Sequence, residues 1–476
     1  MARVTKVVIV GGGPGGYEAA LVGAQLGGEV SLIDSDGPGG SAVLTDCVPS
    51  KTLIATAEIM TTVQESEELG LRIDADDSTD SPNIGVDLAK VNRRVMRLAK
   101  AQSADIRSQL TEAGVTLVEG RGRLDGPERV IAETAEGEQV FDADVVLVST
   151  GATARELPDA APDGERILTW TQVYDLTEMP ERLIVVGSGV TGAEFANAYD
   201  ALGVDVVLVS SRDLVLPGED ADAARVLQDV FERRGMEIMS RSRAQKVYRD
   251  GDEVVVELQD GRILTGSHCL LAVGSIPNTR DIGLDTAGVE VNDGGFISVD
   301  KVSRTSSRGV YAAGDCTGVV MLASVAAMQG RIAMWHALGD AVAPLDAQVV
   351  ASNVFTSPEI ATVGVTQQQV DSGEIGALSV TLPLKGNARA KMQGIHEGFV
   401  KLFCLPTTGI IIGGVVVAPR ASELIHTISL AVSERITVDN FSHDFTVYPS
   451  LSGSIAEAAR RLHGHSVDKL LGSGTV

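Results

Sequence analysis

Apolar and polar residues are arranged in blocks near the start of the chain, and the blocks predict a strand, a turn and a helix in succession. Residues 7–10 (VVIV) are β-branched and predict a buried strand, residues 11–16 (GGGPGG) a tight turn, and residues 17–26 a helix. A second apolar strand is predicted at residues 30–33 and ends at Asp34. This order of elements is typical of a βαβ unit in a parallel sheet.

The same order of elements returns in the middle of the chain. Residues 183–186 predict a strand, residues 187–192 (GSGVTG) a turn, residues 193–201 a helix and residues 206–209 the next strand. A unit that occurs twice, each time with a parallel-sheet pattern, predicts two doubly wound domains.

Further apolar strands that end at glycine support this division. Residues 145–151 close the first copy and residues 270–274 close the second. Residues 309–315 return to strand character and end in Gly314 and Asp315, whose carboxylate could bond a ligand hydroxyl. The sequence therefore predicts an α/β fold in which these strands complete the sheets.

Both turns satisfy the pattern GxGxxG, which is typical of dinucleotide binding when a strand precedes it and a helix follows. The glycines are Gly11, Gly13 and Gly16 in the first turn and Gly187, Gly189 and Gly192 in the second. Glycine is needed where the turn is sharp, where a pyrophosphate must contact backbone, and where helix meets strand, while the helix N-terminus supplies free N–H groups. We therefore predict two Rossmann-like dinucleotide-binding domains.

The residues after the second strand of each unit predict different ligands. Asp34 lies 23 residues after Gly11, near the expected spacing of about 20, and its carboxylate can accept bonds from a ribose diol. The equivalent position in the second unit is Ser210, followed by Ser211 and Arg212. Hydroxyls and an arginine suit a 2′-phosphate, so NADPH is predicted there, with NADH possible. The alternative is that Arg212 is a solvated surface arginine.

Composition narrows the classes of function. A chain of 476 residues exceeds the usual domain size of about 50–250, so two or three domains are expected. The net charge of −25 disfavours nucleic acid as a partner. Four cysteines do not make a disulfide framework, which favours a cytoplasmic setting. Residues 7–10 are too short for a signal peptide, and residues 409–418, a predicted buried strand and turn, are too short to span a bilayer. No integral membrane association and no metal site are expected.

These motifs resemble those of the flavoprotein disulfide reductases, the family of dihydrolipoamide dehydrogenase and glutathione reductase. The matching segments run almost from end to end and are the first GxGxxG with Asp34, Gly39 and Gly40 through Lys51, Thr150 and Gly151, the second GxGxxG with Glu194, Gly274 through Asn278, Gly314 and Asp315, and Ile411 to Glu423. The resemblance implies an FAD-binding domain over residues 1–158 and 282–350, an NAD(P)H-binding domain over residues 159–281, and a C-terminal α+β dimerisation domain over residues 351–476 that makes a homodimer.

The chain departs from this family in the residues that carry disulfide chemistry. Members of the family have Thr-Cys, four residues, and then a second cysteine, whereas this chain has Ser41 and Ala42 before Cys47. One thiol cannot close an intramolecular disulfide. The family's C-terminal acid–base His and its orienting Glu are replaced by Tyr448 and Gly453. A tyrosine is protonated at neutral pH and is a poor base there, so both halves of disulfide chemistry are missing.

The residues that the family places beside the flavin are retained in this chain. Lys51 and Glu194 match the pair beside the reactive flavin nitrogen, where an ammonium can stabilise negative charge on the reduced flavin. The alternative is a surface ion pair worth less than about 1 kcal/mol. Cys47, near Pro49 at a predicted helix start, is expected to be a thiolate of low pKa that contacts the flavin ring. Val190 stands where several members have a gating tyrosine, which suggests an open hydride site.

These observations predict an NAD(P)H:quinone oxidoreductase in which electrons pass from NADPH through FAD to a quinone-type acceptor. The expected catalytic residues are Lys51, Glu194, Cys47 and Tyr448. The resemblance extends to the lipoamide-dehydrogenase-like quinone reductases, which lack the redox-active disulfide. Two alternatives stay open: a soluble pyridine nucleotide transhydrogenase, and a non-catalytic FAD-binding protein for redox sensing or assembly.

Overall fold

The structure is a computed structural model that describes residues 4–71 and 85–470, so the predicted domain ends at residues 1 and 476 lie outside it. Within these residues the helices are α1 (Pro14–Gln25), α2 (Gly40–Leu44), α3 (Cys47–Gln64), α4 (Leu88–Glu112), α5 (Val190–Ala201), α6 (Ala221–Arg233), α7 (Ala323–Ala337), α8 (Gln367–Asp371), α9 (Ala388–Met392), α10 (Ala421–Ser433), α11 (Val438–Ser442) and α12 (Gly453–Leu470). None of them is long and apolar enough to cross a membrane.

The strands of the same residues are named in chain order. They are β1 (Lys6–Val10), β2 (Glu29–Asp34), β3 (Thr116–Glu119), β4 (Arg121–Leu124), β5 (Arg129–Thr134), β6 (Gly137–Asp142), β7 (Val145–Val148), β8 (Ala152–Ala154), β9 (Ile167–Thr169), β10 (Arg182–Val186), β11 (Asp205–Val209), β12 (Glu237–Met239), β13 (Ala244–Asp250), β14 (Glu253–Leu258), β15 (Ile263–Gly266), β16 (His268–Leu271), β17 (Ser275–Pro277), β18 (Val310–Ala312), β19 (Ala351–Val354), β20 (Glu359–Gly364), β21 (Leu378–Pro383), β22 (Phe399–Cys404) and β23 (Ile411–Ala418).

The first parallel sheet has the order β18–β7–β1–β2–β3. Its central strand β1 is buried from Val7 to Val10, as expected of an apolar run covered on both faces. Helices α1 and α7 pack against each other and against this sheet. Helix α1 begins at Pro14, three residues before the predicted start, because proline fits the first turn of a helix without loss of a hydrogen bond.

The second parallel sheet has the order β12–β11–β10–β16–β9 and repeats the first in topology. Helix α5 follows β10 directly and begins at Val190, three residues before its predicted start. The prediction of two doubly wound α/β units is confirmed. Two three-stranded antiparallel sheets accompany them: β4–β5–β6 lies with the first unit, and β13–β14–β15 lies within the second.

The C-terminal part is an antiparallel sheet in the order β19–β20–β23–β22–β21. Helix α10 packs on β20 and β23, and α12 packs on β21 and β22, so this part is α+β as predicted. The apolar segment at residues 409–418 forms the central strand β23, which is almost wholly buried. The exact domain boundaries stay predictions.

A buried ion pair ties the second unit to the C-terminal sheet. Lys401 on β22 is 1% exposed, and its Nζ lies 2.7 Å from Asp220 and 2.8 Å from Asp222. Asp220 is also the N-cap of α6, where its carboxylate accepts the backbone N–H groups of Asp222 and Ala223. The Asp220 carboxylate therefore serves both as helix cap and as counter-charge to Lys401.

We predict that Lys401→Met lowers the free energy of unfolding by about 3–5 kcal/mol, because removing one partner leaves the other charge buried and unpaired. Urea denaturation of the holoprotein would measure this. The exposed Lys391→Met is the matched control and should change stability by less than about 0.5 kcal/mol. Adding Asp220→Asn to Lys401→Met should restore part of the loss, and an unchanged or larger loss in the double variant would contradict the buried-pair explanation.

Candidate active site

The first glycine-rich turn is built so that helix α1 starts against strand β1. A Cβ on Gly16 would lie 1.8 Å from the carbonyl oxygen of Gly11, and one on Gly11 would lie 2.2 Å from that of Ser149. Gly13 has no atom within 4 Å of such a Cβ among the described residues, so its backbone faces open space at the helix N-terminus. The turn thus offers the backbone approach that a pyrophosphate needs.

Asp34 shapes the loop that faces this turn. Its carboxylate accepts the N–H groups of Gly12 at 2.6 Å, Gly37 at 2.6 Å and Asp36 at 2.9 Å. Burial raises the pKa of Asp34 despite these hydrogen bonds. A cavity of about 1360 Å³ runs past Gly11, Asp34 and residues 120–122. An open turn beside a cavity of this size fits a dinucleotide such as FAD.

Other predicted residues of the first site lie against this turn or follow the neighbouring strands β7 and β18. A Cβ on Gly40 would lie 2.7 Å from the Cα of Gly13, so the start of α2 rests directly on the turn. Gly151 follows β7, and Gly314 follows β18, where its N–H donates to Gln329 at 2.9 Å. Burial, with a contribution from the charge of Asp46, raises the pKa of Asp315 to about 6.

The second glycine-rich turn repeats the geometry of the first. A Cβ on Gly192 would lie 1.8 Å from the carbonyl oxygen of Gly187, and Gly189 again faces open space among the described residues. Gly274 follows β16. Val190, at the first position of α5, is 42% exposed, which leaves the mouth of this site open.

In the loop after β11, one of the predicted phosphate-binding residues is buried and the other two are exposed. Ser210 is fully buried, and its hydroxyl accepts a hydrogen bond from Ser188 at 2.7 Å, so this side chain helps to hold the loop in place. Its predicted role in cofactor binding stays a prediction. Ser211 and Arg212 are exposed at the end of the strand. Sequence reasoning missed Arg241, whose backbone N–H donates to the Arg212 carbonyl and whose side chain pairs with Asp213.

Lys51 and Glu194 form the ion pair that the resemblance predicts. The Lys51 Nζ lies 2.7 Å from Glu194, and the Glu194 side chain is only 4% exposed. The second carboxylate oxygen accepts the Phe355 N–H at 2.9 Å, and the Lys51 Nζ lies 5.0 Å from the centre of the Phe355 ring. Burial alone would lower the pKa of Lys51, but the charge and hydrogen bond of Glu194 outweigh it and raise the pKa, so Lys51 stays an ammonium. The alternative of a solvated surface pair is wrong.

Cys47 does not have the low pKa predicted for it. It begins α3 beside Lys51, yet burial, followed by the charge of Asp46, raises the pKa of its thiol to about 12, and the opposing effect of Lys51 is smaller. The expected thiolate is therefore wrong for this protein in the described state. Cys269, Cys316 and Cys404 are free and fully buried, so they behave as small core residues.

Tyr448 is not brought to the Lys51–Glu194 pair within one chain. It lies between α11 and α12 and is 86% exposed, close to Phe445 at 97% and Val447 at 78%. Gly453, at the position of the family's orienting Glu, begins α12. Large apolar patches of this kind are typical of surfaces that another protein covers.

The region before Cys47 contains a carboxyl group that sequence reasoning missed. Asp46 is the N-cap residue of α3, and burial raises its pKa, with Lys51 lowering and Glu194 raising it further. In the sequence, the only sign of this carboxyl group is an acidic residue directly before Cys47.

Comparisons with known proteins agree with this geometry. Residues 5–330 match the family described as pyridine nucleotide-disulphide oxidoreductase, and residues 350–459 match the dimerisation domain of that family. A Mycobacterium tuberculosis protein named NAD(P)H dehydrogenase (quinone) is 54% identical over 472 residues, covering 97% of this chain and 94% of that protein. The dihydrolipoyl dehydrogenase of Bacillus subtilis is 31% identical over 455 residues, covering 95% and 97%.

Comparison with solved structures also finds similar flavoproteins. The crystal structure of LpdA from Mycobacterium tuberculosis matches with a TM-score of 0.91 and 53% identity, covering 96% of this chain and all of that one. The flavoprotein disulfide reductase RclA from Escherichia coli shares the fold at 22% identity, with a TM-score of 0.84 over 96% of this chain and 99% of its own. The family resemblance inferred from the motifs is confirmed. The chain therefore belongs to the pyridine nucleotide-disulphide oxidoreductase family.

Proposed function

We propose that this protein is an FAD-dependent NAD(P)H oxidoreductase that reduces quinones and has no disulfide reductase activity. FAD and NAD(P)H are the cofactors of the family. The relative at 54% identity is named NAD(P)H dehydrogenase (quinone), which supports the acceptor class. The observation that carries the proposal is the intact Lys51–Glu194 pair beside Cys47, with Ala42 in place of a second thiol.

The Lys51 side chain holds a positive charge where the redox chemistry is proposed to occur. The first glycine-rich turn and Asp34 would hold FAD, which would supply the hydride and electron transfer between the nicotinamide and the acceptor. The ammonium of Lys51 would stabilise the negative charge that develops there. The buried Glu194 carboxylate fixes the ammonium, and the Phe355 N–H fixes the carboxylate. The pair is thus preorganised before any ligand binds.

The described residues of this site do not supply the groups that thiol–disulfide exchange requires. Exchange requires an attacking thiolate and a second sulfur as leaving group. Cys47 is protonated at neutral pH, and Ala42 stands where the family has the other thiol. Electrons therefore have no thiol route to a disulfide substrate, and direct transfer to a diffusible acceptor is the remaining route.

We also propose a homodimer in which residues 445–448 are covered by the partner subunit. Residues 350–459 match a dimerisation domain. The exposed Phe445, Val447 and Tyr448 provide an apolar surface of the kind that obligate interfaces bury. This arrangement would give Tyr448 a position at the partner's site that it does not have within its own chain.

We predict that quinones are turned over with NADPH, whereas lipoamide and glutathione disulfide are inert. Cys47→Ser should keep most quinone turnover because the thiol is not an electron carrier. Lys51→Met should lower turnover by about 10²-fold, because it removes a charge stabiliser. Steady-state NADPH oxidation with this panel of acceptors measures all three.

Three outcomes would contradict the function or the mechanism proposed. Loss of quinone turnover in Cys47→Ser with FAD still bound would make the thiol an obligatory carrier. Rapid hydride exchange between NADPH and an NAD analogue, without quinone turnover, would favour the transhydrogenase alternative. The absence of any acceptor activity in yellow, FAD-loaded protein would favour a sensing or assembly role.

The exposed Arg212 supports a preference for NADPH at the second site. We predict that Arg212→Glu weakens NADPH binding by about 10–100-fold and NADH binding much less, because charge-assisted bonds to a phosphate are lost. Titration of each nucleotide into the oxidised holoenzyme measures this. Arg308→Glu, also exposed but on the first unit, is the control for net charge. Equal weakening of both nucleotides would identify Arg212 as a surface charge only.

A further inference from the structure

Gln329 is a polar residue on α7 that is buried inside the first unit, where it is 1% exposed. Its Oε1 atom accepts the Gly314 N–H at 2.9 Å, and its Nε2 group donates to the Thr317 hydroxyl at 3.4 Å. The Thr317 hydroxyl in turn donates to the Gly314 carbonyl at 2.8 Å. Gln329 therefore holds the N–H of Gly314 directly and its carbonyl through Thr317.

The turn at Gly314 needs such support because its backbone is that of a glycine. Gly314 has a φ of +85°, in the region that favours glycine, and glycine has the greatest freedom to leave one conformation for another. The residue is buried, so its N–H would carry the full desolvation cost if it lost its acceptor. The Gln329 amide therefore restricts a turn that would otherwise move easily.

The turn at Gly314 lies directly beside the first glycine-rich turn. A Cβ on Gly15 would lie 2.6 Å from the Ser149 Oγ and 3.2 Å from the Ala326 carbonyl oxygen. A Cβ on Gly314 would lie 3.8 Å from the same Ser149 Oγ and 3.3 Å from the Ala326 Cβ. The two turns therefore share these two neighbours.

Helix α7 contacts both turns through two consecutive residues. A Cβ on Gly330 would lie 2.1 Å from the Gly15 carbonyl oxygen, so a glycine is needed for the helix to come this close. Gln329, directly before it, holds Gly314. The helix thus fixes the turn predicted to contact a pyrophosphate relative to the turn that precedes Asp315.

Asp315 follows Gly314 directly, and its carboxylate is available to a ligand. The residue is half-buried, and its side chain makes no hydrogen bond or ion pair within the part of the chain that the structure describes. Burial, followed by the Asp46 charge, raises its pKa to about 6, so it is ionised at neutral pH. A carboxylate accepts hydrogen bonds from hydroxyl groups, which a flavin dinucleotide carries on its ribityl chain and its ribose.

We propose that Gln329 is a positioning residue for FAD, which holds the Gly314 backbone so that the Asp315 carboxylate can accept a ligand hydroxyl beside the glycine-rich turn. The inference rests on the FAD binding of the proposed function and on the predicted role of Asp315. Because Gln329 is buried and both ends of its amide are already bonded, it acts through Gly314 and not by contact with the ligand.

The first test measures how fast FAD leaves the holoenzyme. Gln329→Met keeps the size of the side chain and removes both hydrogen bonds. The Gly314 N–H then turns to another partner, FAD binding must restore the turn, and release should be about 10–100-fold faster. Timed dilution and ultrafiltration, with the flavin absorbance of the filtrate, measure the rate.

Two further variants accompany this measurement. Gln329→Glu keeps an oxygen acceptor for the Gly314 N–H, so its release rate should lie closer to that of wild type. Met334→Leu changes a fully buried side chain of the same helix and is the control, which should stay within about twofold of wild type.

A double-variant cycle separates positioning from a general effect on stability. If Gln329 acts through the Asp315 carboxylate, Asp315→Asn should itself speed FAD release, and Gln329→Met should add less than about threefold once Asp315→Asn is present. Thr317→Val removes the hydroxyl that links Gln329 to the Gly314 carbonyl. It should show the same dependence on Asp315 with a smaller effect, and it serves as the test if Gln329→Met does not fold.

The outcomes keep this inference distinguishable from the proposed function, because FAD release is measured without nucleotide or quinone. Equal acceleration by Gln329→Met with and without Asp315→Asn would make Gln329 a residue of the fold only and overturn the positioning role. Unchanged release in Gln329→Met and Thr317→Val, or in Asp315→Asn, would also overturn it. A wild type that shows the expected dependence but never reduces quinones would contradict the proposed acceptor alone, and one that binds no FAD would contradict both.

Discussion

The arrangement of the whole molecule depends on one buried carboxylate, that of Glu194. One of its oxygens binds the Lys51 ammonium on α3, and the other accepts the Phe355 N–H at the entrance to the C-terminal sheet. Since Glu194 itself lies on α5, a single side chain connects the two dinucleotide units and the C-terminal part. Neither oxygen could be left without its partner at this depth without a large desolvation cost. The proposed redox site and the junction between the units therefore share the same residues.

The electrostatics of this junction support the proposed loss of thiol chemistry and retention of flavin chemistry. Asp46 and Glu194 place negative charge near Cys47, and burial disfavours its thiolate further. The same negative charge stabilises the Lys51 ammonium. An environment that favours a cation and disfavours a second anion suits electron transfer at a flavin and opposes nucleophilic sulfur.

Local patterns were sufficient to predict most of the fold. The two glycine turns and the buried strands β1, β2, β10 and β11 follow from apolar periodicity and from steric limits that act over a few residues, whereas the α+β character of the C-terminal part was implied by the family resemblance. The pKa of Cys47, the inward position of Ser210 and the pairing of Arg241 with Asp213 depend on contacts between distant segments, which no local pattern contains. Asp46 was missed for the same reason: an acid before a helix is ordinarily a cap, and only the folded site shows that it is not.

The buried Lys401–Asp220 pair has a consequence for the kinetics of nucleotide exchange. It holds the second unit to the C-terminal sheet at one end of α6, while Glu194 holds it through Phe355 at another point. A hinged rotation of this unit would have to break the buried Lys401–Asp220 pair and the hydrogen bond from Phe355 to Glu194, which costs free energy. Nucleotides are therefore expected to enter and leave through the open mouth at Val190 by diffusion and side-chain rearrangement, with no slow closing of a lid in each catalytic cycle.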